Sequence, residues 1–175
     1  NKGKLSNGEQ VPELQDFISE VMKAGSCTRL WLDIKNITSP KTLTDYPINA
    51  CKRACEIITE MKAQNFVEFI CTGNQTVMAK SNEYARAAGV EIGWMGNQPA
   101  SVYQQKSYTW ANLSTTYMSQ GGGERTIDEF TKADIAISVF NADDDATMNY
   151  YISKAKQMKA ICTNYPKKLI NKMKK

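Results

Sequence analysis

The 175-residue chain contains no histidine. That absence excludes Ser-His-Asp and Cys-His catalysis, and any histidine acid or base supplied by this chain alone. No apolar run is long enough to cross a bilayer as a helix, so no membrane span is expected. No stretch has the layout of a signal peptide, although the chain opens on Asn1 rather than methionine, as a processed or truncated product would. The five cysteines, Cys27, Cys51, Cys55, Cys71 and Cys162, form no C-x-x-C pair. Cys51 and Cys55 stand one helical turn apart, which suits a core face better than a zinc site without histidine. All five are expected as small buried hydrophobes, and they assign no redox compartment. Gly121-Gly122-Gly123 lacks the G-x-x-x-x-G-K frame, so it reads as a flexible loop and not a phosphate loop. Basic residues are not interleaved with stacking aromatics, and nucleic acid is not expected as a partner. Internal repeats and low-complexity segments are absent.

What remains is the composition of a soluble globular protein, 42% hydrophobic and 23% charged. Its length suits one domain, residues 1–175, with a core of useful size. The net charge is +4, much of it in Lys167, Lys168, Lys172, Lys174 and Lys175. Such a tail reads as the solvated end of a helix.

Apolar periodicity alternates between helix and strand. Pro12 suits a first helical position, and Leu14, Phe17, Ile18, Val21 and Met22 then recur at helical spacing up to Gly25. A strand follows over 29–35 and a loop over 36–47. A helix carries Cys51, Ala54, Cys55, Ile58 and Met61, and the strand 66–72 comes next. Val77, Met78, Tyr84, Ala85 and Ala88 mark a third helix, and 90–95 a third strand. A short helical piece opens at Pro99, and a weak strand signal covers Ala111–Thr115. Thr126-x-x-Glu129 predicts a capping box. After the strand 135–140, the run Asp143-Asp144-Asp145 reads as the cap of the next helix. A metal site there is the lesser alternative. A last strand over 160–162 and a helix bearing Leu169, Ile170 and Met173 close the chain. Alternation of this kind means parallel strands with crossover helices. Polar residues gather after the strands, where α/β folds place their functional face. Six strands are two short of a closed eight-stranded barrel.

The central stretch is Leu30-Trp31-Leu32-Asp33-Ile34-Lys35. Residues i and i+2 of a strand share a face, so Asp33 and Lys35 project together at the strand's end. A fixed carboxylate and ammonium there can hold a metal ion and a phosphate, or can be a plain ion pair. On spacing alone both readings stand.

Three segments resemble a known family. Gly8-Glu9-Gln10-Val11-Pro12-Glu13-Leu14-Gln15-Asp16 resembles the opening "G-x-x-[IV]-P-x-L-x-[ED]" of glycerophosphodiester phosphodiesterases. Leu30–Lys35 resembles their "L-x-[IL]-E-[IL]-K" strand, with Asp33 at the glutamate. Val139-Phe140-Asn141-Ala142-Asp143 and Ile161-Cys162-Thr163-Asn164-Tyr165-Pro166 resemble their closing "W-T-V-N-D … I-x-T-D-x-P" pair. The resemblance implies the later part of a TIM barrel, a partial (β/α) barrel of about six parallel strands. It implies metal-dependent hydrolysis of glycerophosphodiesters by the intact protein, with Ca²⁺ or Mg²⁺ as cofactor. By position, Asp33 falls on a metal carboxylate, Lys35 on the lysine near the phosphate, and Asn141 on the asparagine closing its strand. Trp94 is a further candidate at the pocket mouth. The motif tryptophan falls on Ser138, and the "T-D" aspartate on Asn164. The family's two catalytic histidines and its Glu-x-Asp pair have no counterpart, so this chain alone is expected to be inactive. Its open strand edges are expected to pair with a segment ahead of Asn1 or with a second copy. The alternative is a catalytically dead module that binds a phosphorylated ligand through Lys35. A generic α/β small-molecule binder is the third option.

Overall fold

Short polar residues that follow the strands set the joints of this fold. The computed structural model describes residues 3–25, 27–35 and 45–174. Its architecture is α/β: six parallel strands alternating with helices, a partial (β/α) barrel. Two compact units divide the chain, Asn1–Glu91 and Ile92–Lys175.

In the first unit, α1 (Leu14–Ala24) is entered through Glu13, whose N–H donates to the Asp16 carboxylate at 2.9 Å. Gly25, at φ 95°, ends it in a conformation that glycine adopts without steric cost. Ile18 is fully buried, whereas Phe17, expected on the same inner face, is exposed. β1 (Leu30–Ile34) pairs in parallel with β2 (Val67–Cys71), Asp33 opposite Ile70 and Trp31 opposite Glu68. Of the loop expected over 36–47, residues 36–44 lie outside the described residues. α2 (Asp45–Glu60) takes Pro47 into its first turn, where a missing N–H costs nothing. Its inner face is Cys51, Ala54, Cys55, Ile57 and Ile58. It packs against α3 (Gln75–Ala87), and the Cys51 thiol donates to the Ser81 carbonyl at 3.9 Å. Burying side chains such as Ile58 and Phe69 stabilises the unit by roughly 1.5–3 kcal/mol each.

In the second unit, β3 (Ile92–Trp94), β4 (Trp110–Ser114), β5 (Ala136–Phe140) and β6 (Met158–Ile161) run parallel in chain order. The weakly signalled strand is therefore real. Gly93 is the register partner of Trp110, and the Trp110 ring lies where a side chain at 93 would stand, 2.2 Å from an ideal Cβ. Between these strands run α4 (Ala100–Gln105), α5 (Thr115–Gln120), α6 (Glu124–Lys132) and α7 (Asp145–Ser153). Tyr103, Leu113, Met118, Phe130 and Met148 fill the core.

Three expectations are corrected here. α6 begins at Glu124, so the Thr126–Glu129 pair sits inside the helix and caps nothing there. Glu129 instead accepts the Ala100 N–H at 2.9 Å, satisfying the first turn of α4. The glycine triplet is not a free loop but a hydrogen-bonded turn leading into α6, with Gly123 N–H donating to the Met118 carbonyl at 2.8 Å. Of the cysteines, Cys51, Cys55 and Cys71 are buried, Cys162 is half-buried, and Cys27 is exposed. The last helix, α8 (Pro166–Met173), buries Leu169 but leaves Ile170 and Met173 exposed.

Candidate functional site

At the carboxyl end of β1 the Lys35 ammonium meets the Asp33 carboxylate at 3.0 Å, with side chains 67% and 36% exposed. The i, i+2 spacing thus does what strand geometry requires. Both charges stay open to water, so the pair adds little to stability, about 0–1 kcal/mol. What it offers is chemistry: an acceptor for a hard cation beside a donor for a phosphate oxygen. The same face carries Trp31 and Arg29, and Arg29 lies 3.8 Å from Glu68 on β2. Glu68 is buried in an otherwise apolar strand. That interruption was visible in the sequence, and it puts a second ion pair on the face that presents Asp33.

Most other polar residues after the strands are occupied. Asn74 accepts the Val77 N–H at 2.9 Å and caps α3. Asn97 accepts the Ser114 N–H at 2.9 Å, while the Ser114 hydroxyl caps α5 through Tyr117 N–H at 3.1 Å. Buried Ser138 donates to the Asn112 side-chain carbonyl at 2.9 Å. In the acidic run each carboxylate has its own task. Asp144 caps α7 through Thr147 N–H, as the run was expected to do. Asp145 takes Lys168 and Lys172, both at 3.0 Å. Asp143 accepts from Asn164 N–H and Asn164 Nδ2, each at 2.8 Å, and from the Thr163 hydroxyl at 3.0 Å. Hydrogen bonds from the Asn164 backbone, then from the Asn164 and Thr163 side chains, hold its carboxyl below the usual carboxylate range.

The four sequence-predicted residues fall in different settings. Asp33 and Lys35 are brought together. Asn141 is exposed directly after β5. Trp94 is half-buried on the face of β3 opposite Gly93, its ring 4.8 Å from Tyr103 and 5.7 Å from Tyr108, with Lys106 above it at 5.9 Å. The structure gives that ring a packing role against α4. A cavity of about 640 Å³ lies elsewhere in the second unit, lined by Thr115, Thr116, Gly123, Thr147 and Tyr150, and holds none of the four.

A Ca²⁺ ion takes six to eight oxygen ligands. Among the described residues no three carboxylate, histidine or cysteine groups converge to hold a metal. Asp33 supplies one carboxylate and shares it with Lys35, so the described residues do not by themselves make a metal site.

Solved structures share this architecture. A glycerophosphodiester phosphodiesterase from Parabacteroides distasonis ATCC 8503 superposes with a TM-score of 0.76 at 16% identity, covering 99% of this chain and 68% of that one. One from Agrobacterium tumefaciens str. C58 gives 0.65 at 11%, covering 90% of this chain and 60% of that one. The fold is that of the glycerophosphodiester phosphodiesterases. No family model and no curated protein matches the sequence. The chain spans about two thirds of these phosphodiesterases, and Asp33 and Lys35 stand at the carboxyl end of a strand of the shared fold.

Proposed function

We propose that the intact protein hydrolyses glycerophosphodiesters, consuming one water and breaking the bond between phosphorus and the alcohol oxygen to release the alcohol and glycerol 3-phosphate. The observation that carries this is the Asp33–Lys35 pair at a strand's carboxyl end, in a fold shared with enzymes of that activity. Asp33 gives one carboxylate toward Ca²⁺ or Mg²⁺, and the remaining ligands come from outside this chain. Lys35 faces the phosphate, and Asn141, in the second unit, is a separate polar candidate for substrate contact. The histidines that move protons belong to a segment outside this chain that completes the barrel along its open strand edges; a second copy could cover those edges but brings no histidine. A well-behaved monomer of this chain at high concentration, seen by light scattering, counts against the second-copy form.

The test is release of glycerol 3-phosphate from a glycerophosphodiester with added Ca²⁺ or Mg²⁺. It is run on this chain and on a longer, histidine-bearing form. The chain alone is expected to be inactive and the longer form active, with Asp33→Asn lowering kcat of the longer form at least 100-fold. The lack of histidine favours one other reading, a module that binds a phosphorylated ligand without turnover. In that case calorimetry shows glycerol 3-phosphate binding that Lys35→Ala removes, and no form turns over. A longer form that neither hydrolyses nor binds ends both readings.

A further inference from the structure

The hydrolytic reading leaves the cavity of the second unit without a use. It measures about 640 Å³, within the range of about 300–1,000 Å³ that small-molecule sites occupy. α5 starts directly after β4, and α7 starts beyond the turn that leaves β5. The cavity is lined from the starts of both helices, so it opens at the carboxyl end of two strands, where α/β folds place their ligands. β4 and β5 each have a strand on both sides, so this is not a sheet edge left for a completing segment.

Hydroxyl groups surround one aromatic ring here: Thr115, Thr116, Ser119 and Thr147 with Tyr150. Buried Tyr151 meets the Tyr150 ring edge-on at 5.0 Å and braces it, while Tyr150 itself is 36% exposed. A Cβ at Gly123 would stand 2.6 Å from the Tyr150 hydroxyl, so bare backbone lets the phenol settle there. The Thr147 hydroxyl donates to the Asp144 carboxylate at 2.6 Å, and the Ser119 hydroxyl to the Thr116 carbonyl at 2.9 Å, so both meet a ligand as acceptors. Among the described residues Glu124 is the one ionised side chain of the lining, and Lys154 pairs with it. The starts of α5 and α7 are already capped, by the Ser114 hydroxyl and the Asp144 carboxylate.

We propose that this cavity binds a neutral pyranose sugar. Such a sugar has an apolar C–H face, which suits the Tyr150 ring. Its hydroxyls both donate and accept, as the surrounding hydroxyl and carboxylate groups require. A phosphorylated ligand would bring its charge beside Glu124 and Asp144, with no lysine or arginine among the described lining residues to meet it. A wholly apolar ligand would take the hydroxyls from water and return no hydrogen bond. The proposal does not depend on the hydrolytic reading.

The test is saturation-transfer NMR and calorimetry of the chain with the α-methyl pyranosides of glucose, galactose and mannose, with glucose 6-phosphate and cyclohexanol as contrasts. At least one methyl pyranoside is expected to bind at millimolar concentration, its ring C–H protons taking up most of the saturation. Tyr150→Ala is expected to weaken that binding about tenfold, and Thr116→Val about fivefold. Thr116 is exposed, so its variant is expected to melt like the parent chain, and it decides the matter if Tyr150→Ala does not fold. Failure of all three pyranosides to bind overturns the proposal, as does binding that Thr116→Val and Tyr150→Ala leave unchanged. Tighter binding of glucose 6-phosphate marks an anion site and overturns it. So does equal binding of cyclohexanol, which marks a merely apolar cleft. Loss of pyranoside binding in a longer, histidine-bearing form shows the cavity to be filled by another segment, and overturns it too.

Discussion

The open end of β1 in the first unit and the β3–β4–β5 seam in the second treat polar chemistry in opposite ways. In the seam, polar groups are neutral, buried and matched: Ser138 is fully buried and bonded to Asn112, and the Trp110 ring fills the space that Gly93 leaves. At the end of β1 the polar groups are charged, open to water and paired with one another at the surface. Closely matched buried groups hold a fold together, since leaving one unsatisfied is costly. Exposed charges contribute little to stability and are correspondingly free to meet a ligand. The molecule thus separates buried polar groups that maintain its shape from exposed charges that hardly contribute to it.

Substitutions can break that contrast. Gly93→Ala has the largest expected effect, because its Cβ would lie 2.2 Å from the Trp110 ring and the indole must move. Overpacking of this kind costs about 3 kcal/mol, measurable by urea unfolding. Next comes Asn112→Ala, which removes a buried amide and leaves the Ser138 hydroxyl without this acceptor, at about 2 kcal/mol by the same measurement. Ser138→Ala follows at about 1 kcal/mol. Asp33→Asn, at the open end, is expected to change unfolding by less than about 0.5 kcal/mol, whatever it does to ligand binding. A loss as large as that of Asn112→Ala would show that the Asp33–Lys35 pair is part of the scaffold and would erase the distinction.

Acid sharpens the same contrast. The carboxyls of Asp143, Asp144 and Asp145 are all held below the ordinary aspartate value by hydrogen bonds, from Asn164, Thr147 and the paired Lys168 and Lys172 respectively. Groups with depressed native values bind protons more readily when unfolded. Their contribution is therefore complete above the unfolded value of about 3.9 and is lost as pH falls through the native values. A melting profile against pH is expected to be flat with respect to these groups at neutrality and to fall below about pH 4. Asp143→Asn should shrink that acid-dependent part while leaving the neutral-pH fold intact.

The alternation of strands and helices was legible in the sequence, as was the pairing of Asp33 with Lys35, because both follow from short periodicities. Relations over long separation were not. Glu129 looked like a local cap, yet its carboxylate serves Ala100, 29 residues earlier, and only the packing of α4 beside α6 brings them together. Trp94 was a candidate for the pocket mouth, although a strand tryptophan is more often core; its ring lies against Tyr103 of α4, while Gly93, its neighbour, gives the opposite face to Trp110. Ile170 and Met173 have the spacing of a core face. Both are exposed in the structure, where Leu169 is the buried residue of the helix and Lys168 and Lys172 pair with Asp145 at the surface.

One carboxylate has a mechanical consequence. Asp143, two residues beyond Asn141, grips both the backbone and the side chain of Asn164 together with Thr163, so the segments leaving β5 and β6 are clasped into one body. Outward movement of one without the other breaks these hydrogen bonds. A ligand that displaces Asn141 would tug Tyr165 and Pro166 along with it, and so shift the footing of the terminal helix.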